Sequence, residues 1–254
     1  MNKLMGRVLM IGAIAMVALA AHAQEVKEKP PMYSYVANWA IPRAQWGEMD
    51  KATATDRALM DKNIASGTIV GYGNDTNLIH QADGETHDDW WSGMSMAAVL
   101  NVLDQSYKNG TATSPVFTAA TKHFDGLYVS TYYNWQPGTW KDVYTHVGMY
   151  KLKESAPEDA VDTLAKNLIV PLLEKLLSDG TIHEYEIDLE AIHTHPPNTF
   201  SILYIAANAE ALDKVNAAIR GAMKASPLGG PAFDAVTDGS GHRDELLRST
   251  ATFK

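Results

Sequence analysis

Gly67-Thr68-Ile69-Val70-Gly71-Tyr72, followed by Ile79-His80, returns later in the chain as Gly180-Thr181-Ile182-His183-Glu184-Tyr185, followed by Ile192-His193. The two stretches align without a gap at a separation of 113 residues, from 67 to 180 and from 80 to 193. The same separation links Ser95 to Asn208, Val99 to Leu212 and Val102 to Val215. A unit of about a hundred residues is too long for a solenoid repeat and has the size of a small domain. The sequence therefore predicts two copies of one domain in a single chain.

Working outward, residues 1–23 stand apart from both copies. Lys3 and Arg7 form a basic start, Val8 to Ala20 is an apolar run, and Ala21-His22-Ala23 is a small-x-small cleavage site. This is the pattern of a secretory signal peptide cut before Gln24, which predicts a periplasmic or secreted protein. Residues 24–32 read as a polar tether. The chain has no cysteine, which excludes disulfides, a lipoprotein anchor and thiol catalysis. Its formal charge is −9, and −11 once Lys3 and Arg7 are removed. An acidic chain without a basic stripe argues against nucleic acid as a partner. After Ala23 no apolar run is long enough to span a bilayer.

Each copy carries the same order of elements. In residues 33–135, strands are expected at 33–39, 68–81, 89–94 and 127–135, with helices at 43–64 and after the potential cap Ser95. A linker, 136–145, precedes the second copy at 146–254. There, strands are expected at 146–152, 181–195, 200–206 and 247–253. A helix over 157–177 has the stripe Val161, Leu164, Leu168, Leu172 and Leu176, with Pro171 expected to kink it, and Asn208 caps a second helix. The order β-α-β-β-α-β, found twice, is the ferredoxin-like unit. One such unit leaves a sheet face bare, and two bare faces can bury each other.

On this element order and repeat, residues 33–254 resemble the dimeric α/β-barrel superfamily, with both halves fused. The expected architecture is an α+β protein in which tandem duplicated ferredoxin-like units close an intramolecular pseudo-dimeric barrel. A single chain completes it, so a monomer suffices. The resemblance implies a small-molecule pocket in or near the barrel. Relatives include cofactor-free monooxygenases, haem enzymes such as chlorite dismutase, and proteins with no known activity.

His80 and His193 occupy equivalent positions, and facing the interior they would move protons near neutral pH. The strand from 181 to 195 alternates cleanly. His183, Tyr185, Ile187, Leu189, His193 and His195 take one face, and Glu184, Glu186, Asp188 and Glu190 take the other. The alternation leaves open which face lines the barrel, and a β-bulge would invert it part-way. Tyr72, Tyr185, Trp90 and Trp91 are candidate wall residues, Trp90-Trp91 sending one ring to each face. His123-x-Asp125 and His242-x-Asp244 form a second self-similar motif, read on a loop, able to orient a base or hold a polar substrate. Its structural reading is an aspartate-capped turn with the histidine packed over it. His193-Thr194-His195 has metal-compatible spacing, and a third ligand must come from elsewhere in the fold. No phosphate loop, nucleophile elbow or zinc helix occurs. The first expectation is a binder or cofactor-free converter of a small hydrophobic or aromatic molecule. The alternatives are a haem protein with His193 or His80 as axial ligand, and a non-catalytic envelope protein that binds a partner.

Overall fold

A computed structural model of the protein describes residues 26–82, 84–225 and 229–254. The predicted signal peptide lies outside the described residues. Eight strands form one closed antiparallel barrel: β1 (Met32–Ala40), β2 (Gly71–Asn77), β3 (His87–Gly93), β4 (Lys122–Trp135), β5 (Gly138–Leu152), β6 (Ile182–Glu190), β7 (Thr199–Ala206) and β8 (Thr237–Phe253). Around the barrel they run β1-β3-β2-β8-β5-β7-β6-β4. The first four strands are thus contiguous, as are the last four. The halves meet where β2 pairs with β8 and β4 pairs with β6. Among the described residues no helix is long and apolar enough to cross a membrane.

The helices lie outside the barrel, each half covering its own four strands. α1 (Trp46–Ser66), α2 (Met96–Lys108) and α3 (Pro115–Thr118) bury Met49, Met60, Val99, Val102 and Phe117 against Tyr35, Trp39, Tyr72 and Trp91. α4 (Ala160–Leu164), α5 (Val170–Ser178), α6 (Ala209–Ala225) and α7 (Gly230–Val236) complete the other half, where Leu164, Leu173, Leu176 and Val215 pack on Tyr185, Ile187 and Tyr204. Val102 and Val215 are both fully buried. The Ser95 hydroxyl accepts the Ala98 N–H at 3.2 Å, and the Asn208 side chain accepts the Ala211 N–H at 2.9 Å. Gly67 and Gly180 end α1 and α5 in left-handed backbone, φ 75° and 73°, which other residues adopt only at a cost.

Several boundaries differ from the sequence reading. Only Gln136 and Pro137 join β4 to β5, because the predicted linker is mostly strand. β8 begins at Thr237 rather than 247, and its long pairing with β5 supplies the backbone partners that its polar sequence does not advertise. The helix over 157–177 starts at Ala160 and contains a π-turn at Ala165–Ile169. That turn holds one extra residue, so the apolar stripe rotates from Leu168 and Leu172 to Ile169 and Leu173. Pro171 follows the π-turn directly, at the start of α5, so the irregularity lies on the N-terminal side of the proline.

Candidate functional site

The strand face turned away from the helices lines a cavity of about 490 Å3 inside the barrel. The register decides which residues those are. Antiparallel partners point the same way, so Ser34, Ser92 and Tyr128 share the inner face, as do Asp75, Asp88 and Ser249. On β6, Tyr185 and Ile187 meet the helices, and Glu184, Glu186 and Asp188 point inward. A register shift between Ile182 and Glu184 sets His183 in a bulge and returns Ile182 to the helix side.

One end of the cavity is closed. Phe253 packs against Trp90, Trp135 and Trp140 at ring separations of 5.5, 5.7 and 6.3 Å, with Val143, Ile205 and Ala251 buried beside them. Trp90 lies across Gly73, where a Cβ would overlap its ring, and its indole N–H donates to Asp75 at 3.1 Å. The other end is the mouth, framed by exposed residues such as Phe124, Pro196, Ser240 and Arg243.

The lining is unusually acidic, with eight carboxyl side chains: Asp75, Glu85, Asp88, Glu184, Glu186, Asp188, Glu190 and Glu245. The Ser34 hydroxyl donates to Glu186 at 3.2 Å, and the Ser130 hydroxyl donates to Asp188. Glu184 is 1% exposed; no hydroxyl, amide or basic group donates to its carboxyl oxygens, and its side-chain partner is the Glu186 carboxyl. One oxygen each of Asp75 and Asp88 likewise lacks such a donor. Burial disfavours the charged form. It raises Asp75 to about 7 against the hydrogen bonds from Ser249 and Trp90, and Asp188 to about 6 against that from Ser130. Burial, then repulsion from neighbouring acids, holds Glu184, Glu186 and Asp88 well above the ordinary carboxylate range. Burial and the adjoining Glu85 raise Glu245 to about 8.

Most of the residues singled out in the sequence lie elsewhere. His80 and His193 do not face the interior: both are exposed, in the loops after β2 and β6. The strands expected to reach 81 and 195 end at Asn77 and Glu190, because side chains there redirect the backbone. Asn77 accepts the Ile79 N–H at 3.2 Å, and Glu190 accepts the N–H groups of Thr194 and His195 at 3.2 and 3.1 Å. Tyr72 and Tyr185 face the helices, their hydroxyls donating to Asp61 at 2.7 Å and Glu174 at 2.6 Å. Trp91 also faces the helices, stacked on Tyr35, while Trp90 faces the cavity. His123 and His242 lie on strands, not loops. Each ring nitrogen Nε2 is 3.3 Å from its aspartate, Asp125 or Asp244, and each Nδ1 is 3.0 Å from a carbonyl of the neighbouring strand. The rings stack on Trp39 and Tyr150; neither histidine lines the cavity, although Tyr150 does. The carboxyl wall was missed, although its signal was present. A strand with an apolar face toward amphipathic helices must turn its Glu184-Glu186-Asp188 face inward.

No family model matches the chain, and no curated protein matches it. Solved structures do. A monooxygenase-like protein of Lactobacillus acidophilus aligns with a TM-score of 0.62 at 13% identity, over 89% of this chain and 97% of the other. One from Fusobacterium nucleatum gives 0.64 at 11% identity, over 89% and 95%. Chlorite dismutase of Candidatus Nitrospira defluvii gives 0.50 at 12% identity, over 86% and 90%. These likenesses show that the chain shares the fold of these proteins.

Haem is the cofactor of the second alternative, and neither of its expected axial ligands, His80 and His193, lines the cavity. His195 is the one imidazole among its lining residues, with Nδ1 2.5 Å from Glu190. Among the described residues no group of three or more His, Asp or Glu side chains is arranged to hold a metal ion.

Proposed function

We propose that the protein is a secreted or periplasmic tandem duplication of one ferredoxin-like unit, and that it binds a small molecule with an apolar or aromatic body inside its barrel. The observation that carries this reading is the 490 Å3 cavity, closed by aromatic rings at one end and open at the other. Val147, Leu203, Ile205 and Leu247, from the contiguous strands β8, β5 and β7, give it an apolar wall. Concave sites of this size are the usual form of a ligand pocket. The equivalent caps, buried valines and helix-ending glycines support the duplication. The monooxygenase-like neighbours support a chemical role without a metal. In such a role Asp75 and Asp188, raised toward neutrality by burial, are the groups suited to exchange protons.

The test is binding of 2-phenylethanol and 2-phenylethylamine to the mature protein, followed by ligand-observed NMR. In Val147→Trp the new indole occupies the cavity, and binding should fall at least tenfold with the circular dichroism spectrum kept. His80→Ala with His193→Ala should leave binding within twofold. Equal binding to wild type and Val147→Trp, or no binding of either compound, defeats the reading.

A further inference from the structure

We infer that the ligand is an organic cation, an amine whose ammonium group docks against Glu184 and Glu186 while its apolar body lies along β5 and β7. The inference rests on the cavity reading and adds its substrate class. Glu184 provides its main support: a carboxyl almost wholly buried and lining the cavity, to which no hydroxyl, amide or basic group donates, and whose side-chain partner is the neighbouring carboxyl of Glu186. Burial keeps such a carboxyl protonated, and it ionises in place only when a cation pairs with it. Among the described residues no lysine or arginine lines the cavity at that depth. The basic side chains lining the cavity, Lys151 and Arg243, stand at the mouth, and Arg243 is taken up by Glu245 at 2.9 Å.

Three partners could satisfy such acceptors: protons, a metal ion or an ammonium group. Protons hold the trio Glu184, Glu186 and Asp188 in a neutral form and give no reason for carboxyls rather than amides. The trio lies along one strand and is not arranged as a metal-ligand group. An ammonium offers up to three N–H donors to acceptors spaced along β6, and it needs an apolar wall for its carbon body. That wall is present on the neighbouring strand, where Leu203 pairs with Glu186 and Ile205 with Glu184. Acid and apolar surface thus adjoin within one strand pair.

Three probes of one size test this by titration calorimetry at constant ionic strength: 2-phenylethylamine, 2-phenylethanol and 3-phenylpropanoate. The amine should bind at least tenfold tighter than the alcohol, and the acid should show no binding. Glu184→Gln and Glu186→Gln, each checked for unchanged melting, should reduce the amine-to-alcohol ratio to about twofold or less. The wild-type ratio is decisive even where a variant fails to fold. If the alcohol or the acid binds as tightly as the amine and Val147→Trp blocks it, the cation assignment is wrong and the cavity reading stands. Amine binding that survives in Val147→Trp places the cation elsewhere and also overturns the assignment. If none of the three binds, both readings fall.

Discussion

Glu184 and Tyr185 are neighbours in sequence and meet opposite surroundings. The tyrosine packs under α5 with its hydroxyl on Glu174, and the glutamate points into the barrel, where no hydroxyl, amide or basic group donates to it. In most one-sided sheets the acidic face of such a strand meets solvent. Here closure of the barrel removes that face from solvent, so residues that look solvated become the costliest groups in the protein. The same reversal explains the histidines. His80 and His193 are on-pattern for a strand, yet a side-chain contact to the backbone at Asn77 and at Glu190 ends each strand first. At this scale the sharpest prediction concerns Gly73. A Cβ there collides with the Trp90 ring, so Gly73→Ala must displace the indole and break its bond to Asp75. A loss of about 1–3 kcal/mol in chemical denaturation is expected, with altered tryptophan emission. A variant as stable as wild type, with unchanged emission, would show that the ring has room to move.

The helices are where sequence reasoning worked best, because their signals are local. Ser95 and Asn208 each accept the backbone N–H three residues on, as a capping residue should. Ser95→Ala and Asn208→Ala should each cost about 1 kcal/mol, and the two losses should add, since the caps lie in separate halves. Thermal melts of the two single variants and the double variant check this. A double variant no less stable than either single one would contradict independent caps. Strand ends were harder to read. β5 and β8 pair far beyond the apolar segments that marked them, because a strand persists wherever a neighbour offers hydrogen bonds. The π-turn in the α4–α5 region left no clear mark in the apolar pattern, and it moved the buried stripe by one residue.

For the whole molecule, the acidic interior fixes how stability responds to pH. Burial raises Asp75 and Asp89 to about 7 and Glu245 to about 8, each above its unfolded value. The folded protein therefore holds more protons than the unfolded chain, so stability falls as pH rises through those values. His87, held at about 4 by burial, and His146, also held low, act in the opposite sense, but only below their ordinary value of 6.5. Between pH 6.5 and 8.5 the acids dominate, and a loss on the order of 3 kcal/mol is expected. Scanning calorimetry should show the melting temperature dropping across that range, and Glu245→Gln should flatten the slope. A melting temperature that climbs from 6.5 to 8.5 would mean that the interior acids are ionised in the folded state.

The sequence by itself determined the α+β class, the repeated order of elements, the helix caps and the stops at Gly67 and Gly180. Each of these depends on residues within a few positions of one another, or on a pattern that survives in both halves. Which strand face became the interior was decided only in three dimensions. The helices take the apolar face of each strand, and closure of eight strands leaves the other face no exit to solvent. So the candidate site passed from histidines that looked equivalent and reactive to carboxyls that looked merely soluble. An isolated strand carries its alternation but not the identity of its two neighbouring layers, and those layers set both the burial and the charge of every inward group.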